Sequence, residues 1–181
     1  SRGLGDVYKR QKLWSPDSPF LYDVEIELRS NNQTVDKVKS YFGMRKISMG
    51  SENGKACFML NNKPIFQFGP LDQGFWPDGL YTAPSDDALI FDIEQTKALG
   101  FNMSRKHIKV EPARWYYHCD RLGLLVWQDM VNAGSDQNLL GDDEWVKKNF
   151  LSECDQIVSN LKNHPCIVTC IAVGEGVGEY A

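Results

Sequence analysis

The 181 residues are 42% hydrophobic, 12% aromatic and 24% charged, fractions of a folded globular chain that exclude a disordered or low-complexity one. The net charge is −4, from 20 Lys+Arg against 24 Asp+Glu, and no block of five like charges interrupts it, which argues against a nucleic-acid binder. No apolar run approaches the ~20 residues of a membrane span and no signal peptide opens the chain, so neither a nucleic-acid nor a membrane partner is expected.

The chain opens at Ser1 rather than Met, and a processed or cut start is expected. Residues 1–50 read as β. Asp23-Val24-Glu25-Ile26-Glu27-Leu28 alternates polar and apolar, the period of a half-buried strand. Asn31-Asn32-Gln33 reads as a turn, and a second run extends from Thr34 to Ile47, broken near its end by Gly43. This is too little for a self-sufficient sandwich, which takes about seven strands. From about residue 56 the pattern changes. Phe58-Met59-Leu60 and Pro64-Ile65-Phe66-Gln67-Phe68 flank Asn61-Asn62, predicting a hairpin. Its second arm runs on into Gly69-Pro70-Leu71-Asp72-Gln73.

Helices and buried strands then alternate. Ser85 is a suitable N-cap, with Asp86 and Asp87 in the first turn and Gly100 at the end. Phe101 to His107 follows as a strand. Pro112 opens the next helix and Gly123 closes it. Leu124-Leu125-Val126-Trp127 suits a strand covered on both faces. Asp142 to Leu161 predicts a longer helix with Phe150, Cys154, Ile157 and Leu161 on one side, and Cys166 to Val173 a last strand. Strands entering near residues 65, 101, 124 and 167, joined by helices, imply a parallel sheet. Both an open doubly wound sheet and part of a (β/α)8 barrel fit, although no GxGxxG follows the first strand.

In a barrel, chemistry collects at the C-terminal ends of the strands. Those ends carry Asp72, then Arg105 with His107, then Gln128 with Asp129, then Glu175. Glu175 follows eight mostly apolar residues and sits between glycines, where desolvation raises a carboxyl pKa toward that of a general acid; the plainer reading is a solvated loop glutamate. Arg105 and His107, two apart, face one side of a strand and could hold a ligand hydroxyl or carboxylate; an internal ion pair with Asp129 or Asp72 is the structural alternative. Trp76, Trp115 and Trp127 could stack on a sugar or fill the core. His118 and His164 read as structural. The five cysteines, Cys57, Cys119, Cys154, Cys166 and Cys170, form neither a disulfide framework nor a CxxC metal motif. Cys166 and Cys170 would stand about 13 Å apart on one strand, too far to bridge. No metal and no cofactor are expected.

At this point the motifs resemble glycoside hydrolase family 2. Leu13-Trp14-Ser15-Pro16 through Pro19-Phe20-Leu21-Tyr22 is similar to the "LWSP…P.LY" segment of that family's immunoglobulin-like domain, and Tyr41-Phe42-Gly43-Met44-Arg45 to the "FG.R" that closes it. Leu60-Asn61-Asn62-Lys63-Pro64 resembles the "LNGKP" hairpin that begins the family's barrel, and Asn163-His164-Pro165-Cys166-Ile167 the "NHPSI" segment leading into its fourth strand. The four ordered motifs span the chain. The resemblance implies an α/β fold: strands of an immunoglobulin-like β-sandwich in residues 1–50, then the first half of a (β/α)8 TIM barrel, about four βα units, in residues 51–181.

The resemblance also implies retaining hydrolysis of a β-linked sugar by two carboxylates about 5–5.5 Å apart. Glu175 matches the position of the general acid/base, and Asp72, Arg105, His107, Asp129 and Gly174 are candidates for lining the sugar site. Two departures stand out. A complete barrel takes about 250 residues, and the strand that would carry the nucleophile is not among these 181. Gly174 stands where the family has an asparagine that bonds the sugar 2-hydroxyl. Cys170 and Val177 stand where relatives often carry tryptophan, and Ser104 puts a hydroxyl in a strand expected to be apolar. A carbohydrate is the expected partner, the chain alone is expected to be inactive, and an open half-barrel is expected to self-associate or to need its other half. The rival reading is a non-catalytic sugar-binding or interaction module on a degenerate barrel. An open α/β enzyme with its own chemistry would need a phosphate loop or nucleophile elbow, and neither is found.

Overall fold

The structure, a computed structural model, describes residues 11–131 and 144–172. Contacts divide the chain into two compact units, with the division between Phe66 and Gln67.

The first unit contains two antiparallel sheets. Strands β1 (Tyr22–Ser30) and β2 (Gln33–Phe42) pair around Asn31-Asn32. Both asparagines have positive φ, 49° and 62°, the type I′ geometry whose twist suits a two-residue hairpin. The register shifts between Leu28 and Arg29. Val24, Ile26 and Leu28 alternate onto one face, and Ile26 and Leu28 stay exposed there, as does Val38 opposite Ile26. The second strand ends at Phe42 rather than Ile47. Residues 43–46 are unpaired as strand, and the Met44 carbonyl instead accepts from the Trp14 backbone at 2.8 Å. Trp14 is fully buried, with its own carbonyl bonded by Asn61 Nδ2. Ser15 to Ser18 close a tight turn just after it, bonding each other in both directions at 3.1 Å.

The second sheet is a meander of β3 (Ile47–Glu52), β4 (Lys55–Leu60) and β5 (Lys63–Pro64). Its turns are Asn53-Gly54 and Asn61-Asn62, all four residues at positive φ. The Asn-Asn turn stands where the sequence placed it. The arm beyond it is only two residues long, because Pro64 has no N–H to continue the ladder; Ile65 makes one last backbone bond to Phe58 at 3.0 Å.

The second unit alternates strand and helix: β6 (Leu71–Asp72), α1 (Asp86–Ala98), β7 (Met103–Lys106), α2 (Ala113–Leu122), β8 (Leu125–Asp129), α3 (Glu144–Leu161) and β9 (Ile167–Ile171). The four strands form one parallel sheet in chain order, β6-β7-β8-β9. The alternation predicted from sequence is therefore present, but the first parallel strand begins at Leu71, not near residue 65.

The reason lies in residues 68–70, which run beside β7 without completing a ladder: Arg105 N–H donates to the Pro70 carbonyl at 2.9 Å, but Pro70 has no N–H to donate in return. Phe68 and Asn102 exchange two bonds, one of them through the Asn102 side chain. A Cβ on Gly69 would lie 1.6 Å from the Met103 carbonyl oxygen. Only glycine fits there, and Gly69→Ala is expected to cost about 1–3 kcal/mol of stability or more, seen as a lowered urea midpoint with the denaturant slope unchanged.

The helices end as their sequences dictate. Ser85 Oγ accepts from Ala88 N–H at 3.1 Å and two aspartates follow it, favourable at a helix N-terminus. Gly100 and Gly123 take positive φ, 90° and 79°, just past α1 and α2. Leu89 and Ile93 of α1 and Trp115, Tyr116 and Cys119 of α2 are buried with Leu124, Leu125 and Val126 of the β8 region. On α3 the row Phe150, Cys154, Ile157, Leu161 is more buried than its neighbours, as its spacing predicted. All five cysteines are free thiols; burial raises the pKa of both Cys119 and Cys166, so they stay protonated as small packed groups. Among the described residues no helix is long and apolar enough to cross a membrane.

Candidate active site

Strand register sorts the strand-end residues onto two faces of the parallel sheet. Arg105 pairs with Trp127 and with Leu71, and Lys106 pairs with Gln128 and Asp72. Side chains alternate along a strand. Arg105, Trp127 and Asp129 therefore share one face, with Thr169 and Ile171 of β9 opposite Trp127 and Asp129. Lys106, Gln128 and Asp72 take the other face, the one covered by α1 and α2.

On the first face, three of the residues singled out by sequence come together. Arg105 grips Asp129 with two nitrogens, Nε to Oδ1 at 3.0 Å and Nη2 to Oδ2 at 2.9 Å. This fork geometry is the strongest form of an Arg–carboxylate pair. Asp129 is 1% exposed while the Arg105 side chain keeps 25%, so the pair presents its guanidinium side outward. His107 stands at the end of β7 with Nε2 3.9 Å from Asp129 Oδ2, and Nδ1 3.0 Å from Gln73 Nε2. An amide nitrogen only donates. Nδ1 is therefore the acceptor, and a neutral ring carries its proton on Nε2, toward Asp129. The outcome is a patch whose exposed part is the Arg105 guanidinium, with the Asp129 carboxylate and His107 largely buried behind it, a donor group suited to a ligand hydroxyl or carboxylate. The ion pair with Asp129 that sequence offered as the plainer alternative is thus present, and it forms the patch rather than replacing it. Trp127 lies half-buried beside it and donates its indole N–H to Gln67. The hydroxyl of Thr169 is buried on this face without a hydrogen-bond partner among the described residues.

Asp72 does not join this cluster. Its Oδ2 meets Lys106 Nζ on the opposite face and its Oδ1 accepts from Gly74 N–H at 2.7 Å. Lys106, 1% exposed, also bonds Glu111 Oε1 at 2.8 Å and lies 4.4 Å from the Trp115 ring centre. Lys109 bonds the same Glu111 oxygen at 3.1 Å and donates to the carbonyls of Gly74 and Tyr81. Gln128, buried, accepts from the Tyr116 hydroxyl and donates to the Lys109 carbonyl. Burial pushes the Tyr116 hydroxyl far above its ordinary range, so it remains a donor. This network fixes the loops after β6 and β7, and with them Gln73 and His107.

Sequence reading missed Lys106, Lys109, Glu111 and Tyr116. The available signal was strand parity: a lysine between Arg105 and His107 must point to the helix side and needs an anion there. Trp115 is a core residue, as its structural alternative held, and Trp76 is half-buried in the loop after β6. His118 pairs with Asp86 at 3.0 Å and His164 with Asp120 at 2.6 Å, both structural ties between elements.

A separate cavity of about 420 Å³ opens on the helix face, lined by Leu71, Asp72, Asp92 and Ser104 among others. The Asp92 carboxyl is raised, first by burial and then by the nearby Asp72 charge. Glu175 and Gly174, and Val173 at the expected end of the last strand, lie outside the described residues.

The family described as "Glycosyl hydrolases family 2" matches residues 5–45. The β-galactosidase of Lactococcus lactis subsp. lactis is 29% identical over 161 residues, 87% of this chain and 16% of that protein. The β-galactosidase of Thermoanaerobacter pseudethanolicus is 28% identical over 162 residues, 85% of this chain and 20% of that protein. Among solved structures, β-glucuronidase 3 of Bacteroides uniformis superposes with a TM-score of 0.74 at 26% identity, over 89% of this chain and 20% of that one. The chain thus spans 16% to 20% of the length of these curated relatives.

Proposed function

We propose that this chain, which matches the glycosyl hydrolase family 2 model over residues 5–45 and resembles β-galactosidases and a β-glucuronidase of that kind along most of its length, supplies the acid/base side of a retaining β-glycosidase site. Residues 1–50 are strands of an immunoglobulin-like sandwich, and residues 51–181 are the first half of a (β/α)8 barrel. The open apolar face of β1 and β2 supports the first assignment, since such a face belongs against a second sheet. The parallel order β6-β7-β8-β9 with helices on one face supports the second.

The observation that carries the activity is the Arg105–Asp129–His107 cluster at the C-terminal ends of adjacent parallel strands, on the face away from α1 and α2. The cluster holds the hydroxyls of the sugar being cleaved. Glu175, four residues past the end of β9 in the sequence, protonates the leaving oxygen while a second carboxylate attacks the anomeric carbon; Glu175 then removes a proton from the water that releases the sugar. Gly174 leaves more room beside that sugar than an asparagine would. Asp72 acts from the other face, by holding Lys106 and the Gly74 turn.

The test is a panel of p-nitrophenyl β-galactoside, β-glucuronide and β-mannoside with the full-length protein. Turnover of one of them with retained configuration is expected; no turnover of any glycoside, with sugar binding intact, would favour the non-catalytic sugar-binding reading. The 181 residues by themselves are expected to give no turnover, because the two-step route needs the second carboxylate. Turnover by this chain as a verified monomer would overturn that.

A further inference from the structure

We infer that Cys119 and Cys166 are a dithiol pair that closes to a disulfide when the opened chain meets a small disulfide oxidant of the glutathione class, tying α2 to the root of β9. The pair sits at the entry of β9, away from the strand ends that carry Arg105, Asp129 and His107, and owes nothing to the glycosidase reading.

Tyr116, Cys119 and Asp120 occupy positions i, i+3 and i+4 of α2, one face of the helix. Cys166 meets all three. Its Sγ lies 3.7 Å from the Tyr116 carbonyl oxygen, its backbone N–H donates to Asp120 Oδ1 at 2.8 Å, and its thiol shares a hydrogen bond with that of Cys119. The two sulfurs face each other from segments already bonded together, the arrangement a disulfide requires. Both residues are 0% exposed, and any further chain packed on this unit can only bury them more. Cys170 is no rival for Cys166, because four residues of strand hold the two about 13 Å apart.

Burial keeps both thiols protonated in the closed protein and out of an oxidant's reach. Oxidation therefore waits on opening of the turn before β9, which Asp120 holds through His164 and the Cys166 N–H. Once open, Cys166 gives its proton to water and its thiolate attacks one sulfur of glutathione disulfide. The other glutathione leaves with the electron pair and takes up a proton. As the turn recloses, the Cys119 thiolate attacks the Cys166 sulfur and displaces the second glutathione, which also leaves as a thiol. Two protein thiols are oxidised, and one glutathione disulfide is reduced to two glutathiones.

The experiment uses the full-length protein in glutathione buffers of rising oxidised fraction. Remaining thiols are blocked, and peptides are mapped by mass spectrometry without reduction. A peptide pair linked through Cys119 and Cys166 is expected to accumulate, and to be absent in Cys166→Ser. Asp120→Asn, which loosens the turn, is expected to form the link about tenfold faster; an unchanged rate overturns Asp120 as the latch. Linked protein is expected to lose hydrogen-exchange protection at Val126 at about 1–2 M higher urea than reduced protein, and equal midpoints overturn the tie between α2 and β9. Incubation at the urea midpoint gives the oxidant access to both thiols. If both then stay free, or each is capped by glutathione with no link after the urea is removed, the pair itself is overturned.

Discussion

Asp120→Ala is expected to destabilise the second unit by about 3–5 kcal/mol. Asp120 lies near the end of α2, fully buried, and its two oxygens do two jobs. Oδ2 bonds His164 Nδ1 at 2.6 Å and Oδ1 accepts the Cys166 backbone N–H at 2.8 Å. Alanine would leave that N–H orphaned in a site where Cys166 is itself fully buried, a cost of about 1–3 kcal/mol alone, and would also strand the imidazole. Asp120→Asn keeps one oxygen and should cost about 1–2 kcal/mol. The damage has a direction. Asp120 fixes the Asn163-His164-Pro165 turn from which β9 starts, and the Cys166 carbonyl accepts the Val126 N–H at 2.8 Å as the first bond between β8 and β9. Urea denaturation gives the loss, and hydrogen exchange at Val126 locates it. An Asp120→Ala protein as stable as the parent, with Val126 still protected, would show that the turn is held by other contacts.

That turn also shows where sequence reading works. Asn-His-Pro was read as a lead-in to a strand, and His164 as structural; both hold, because a turn residue and the apolar run after it are local facts. The same is true of Ser85, Gly100, Gly123 and the Asn31-Asn32 and Asn61-Asn62 turns, where backbone geometry depends on one or two residues. The Asn53-Gly54 hairpin was equally legible by that rule, yet β3 was not predicted. Ile47-Ser48-Met49-Gly50-Ser51-Glu52 lacks clean alternation, and β3 gains its strand form from pairing with β4. The first parallel strand was misplaced for a related reason. Pro64-Ile65-Phe66-Gln67-Phe68 has strand composition, but the close pass of Gly69 against β7 is a tertiary fact no local pattern encodes.

At the site, parity along β7 correctly put Arg105 and His107 on one face. It could not say that Asp72 would lie on the other, because that needed the β6–β7 register of Asp72 opposite Lys106. Nor does a string of polar residues between Arg105 and Glu111 announce that Lys106, Lys109 and Glu111 are all buried; single-sequence patterns treat charge as surface, and only the pairing of opposite charges makes their burial tolerable.

Glu175→Gln in the full-length protein is expected to lower kcat/KM about 10²–10⁴-fold on a β-glycoside with a poor leaving group such as a sugar or alkyl alcohol. Glutamine is nearly isosteric, so binding is retained while the transferable proton is lost. A 2,4-dinitrophenyl glycoside leaves without protonation, so for that substrate kcat/KM should stay within a few-fold of the parent. Its kcat should nevertheless fall, because the same group serves as base when water releases the bound sugar. The two effects together make KM drop with kcat, the sign of a covalent intermediate that accumulates. The pH profile gives an independent reading. In the parent, kcat/KM on the poor substrate should fall at high pH as the acid ionises, and that alkaline limb should vanish in the variant. A uniform loss across leaving groups with the limb intact would move the acid role to another carboxyl, and the place to look would be the strand ends that face Arg105 and Asp129.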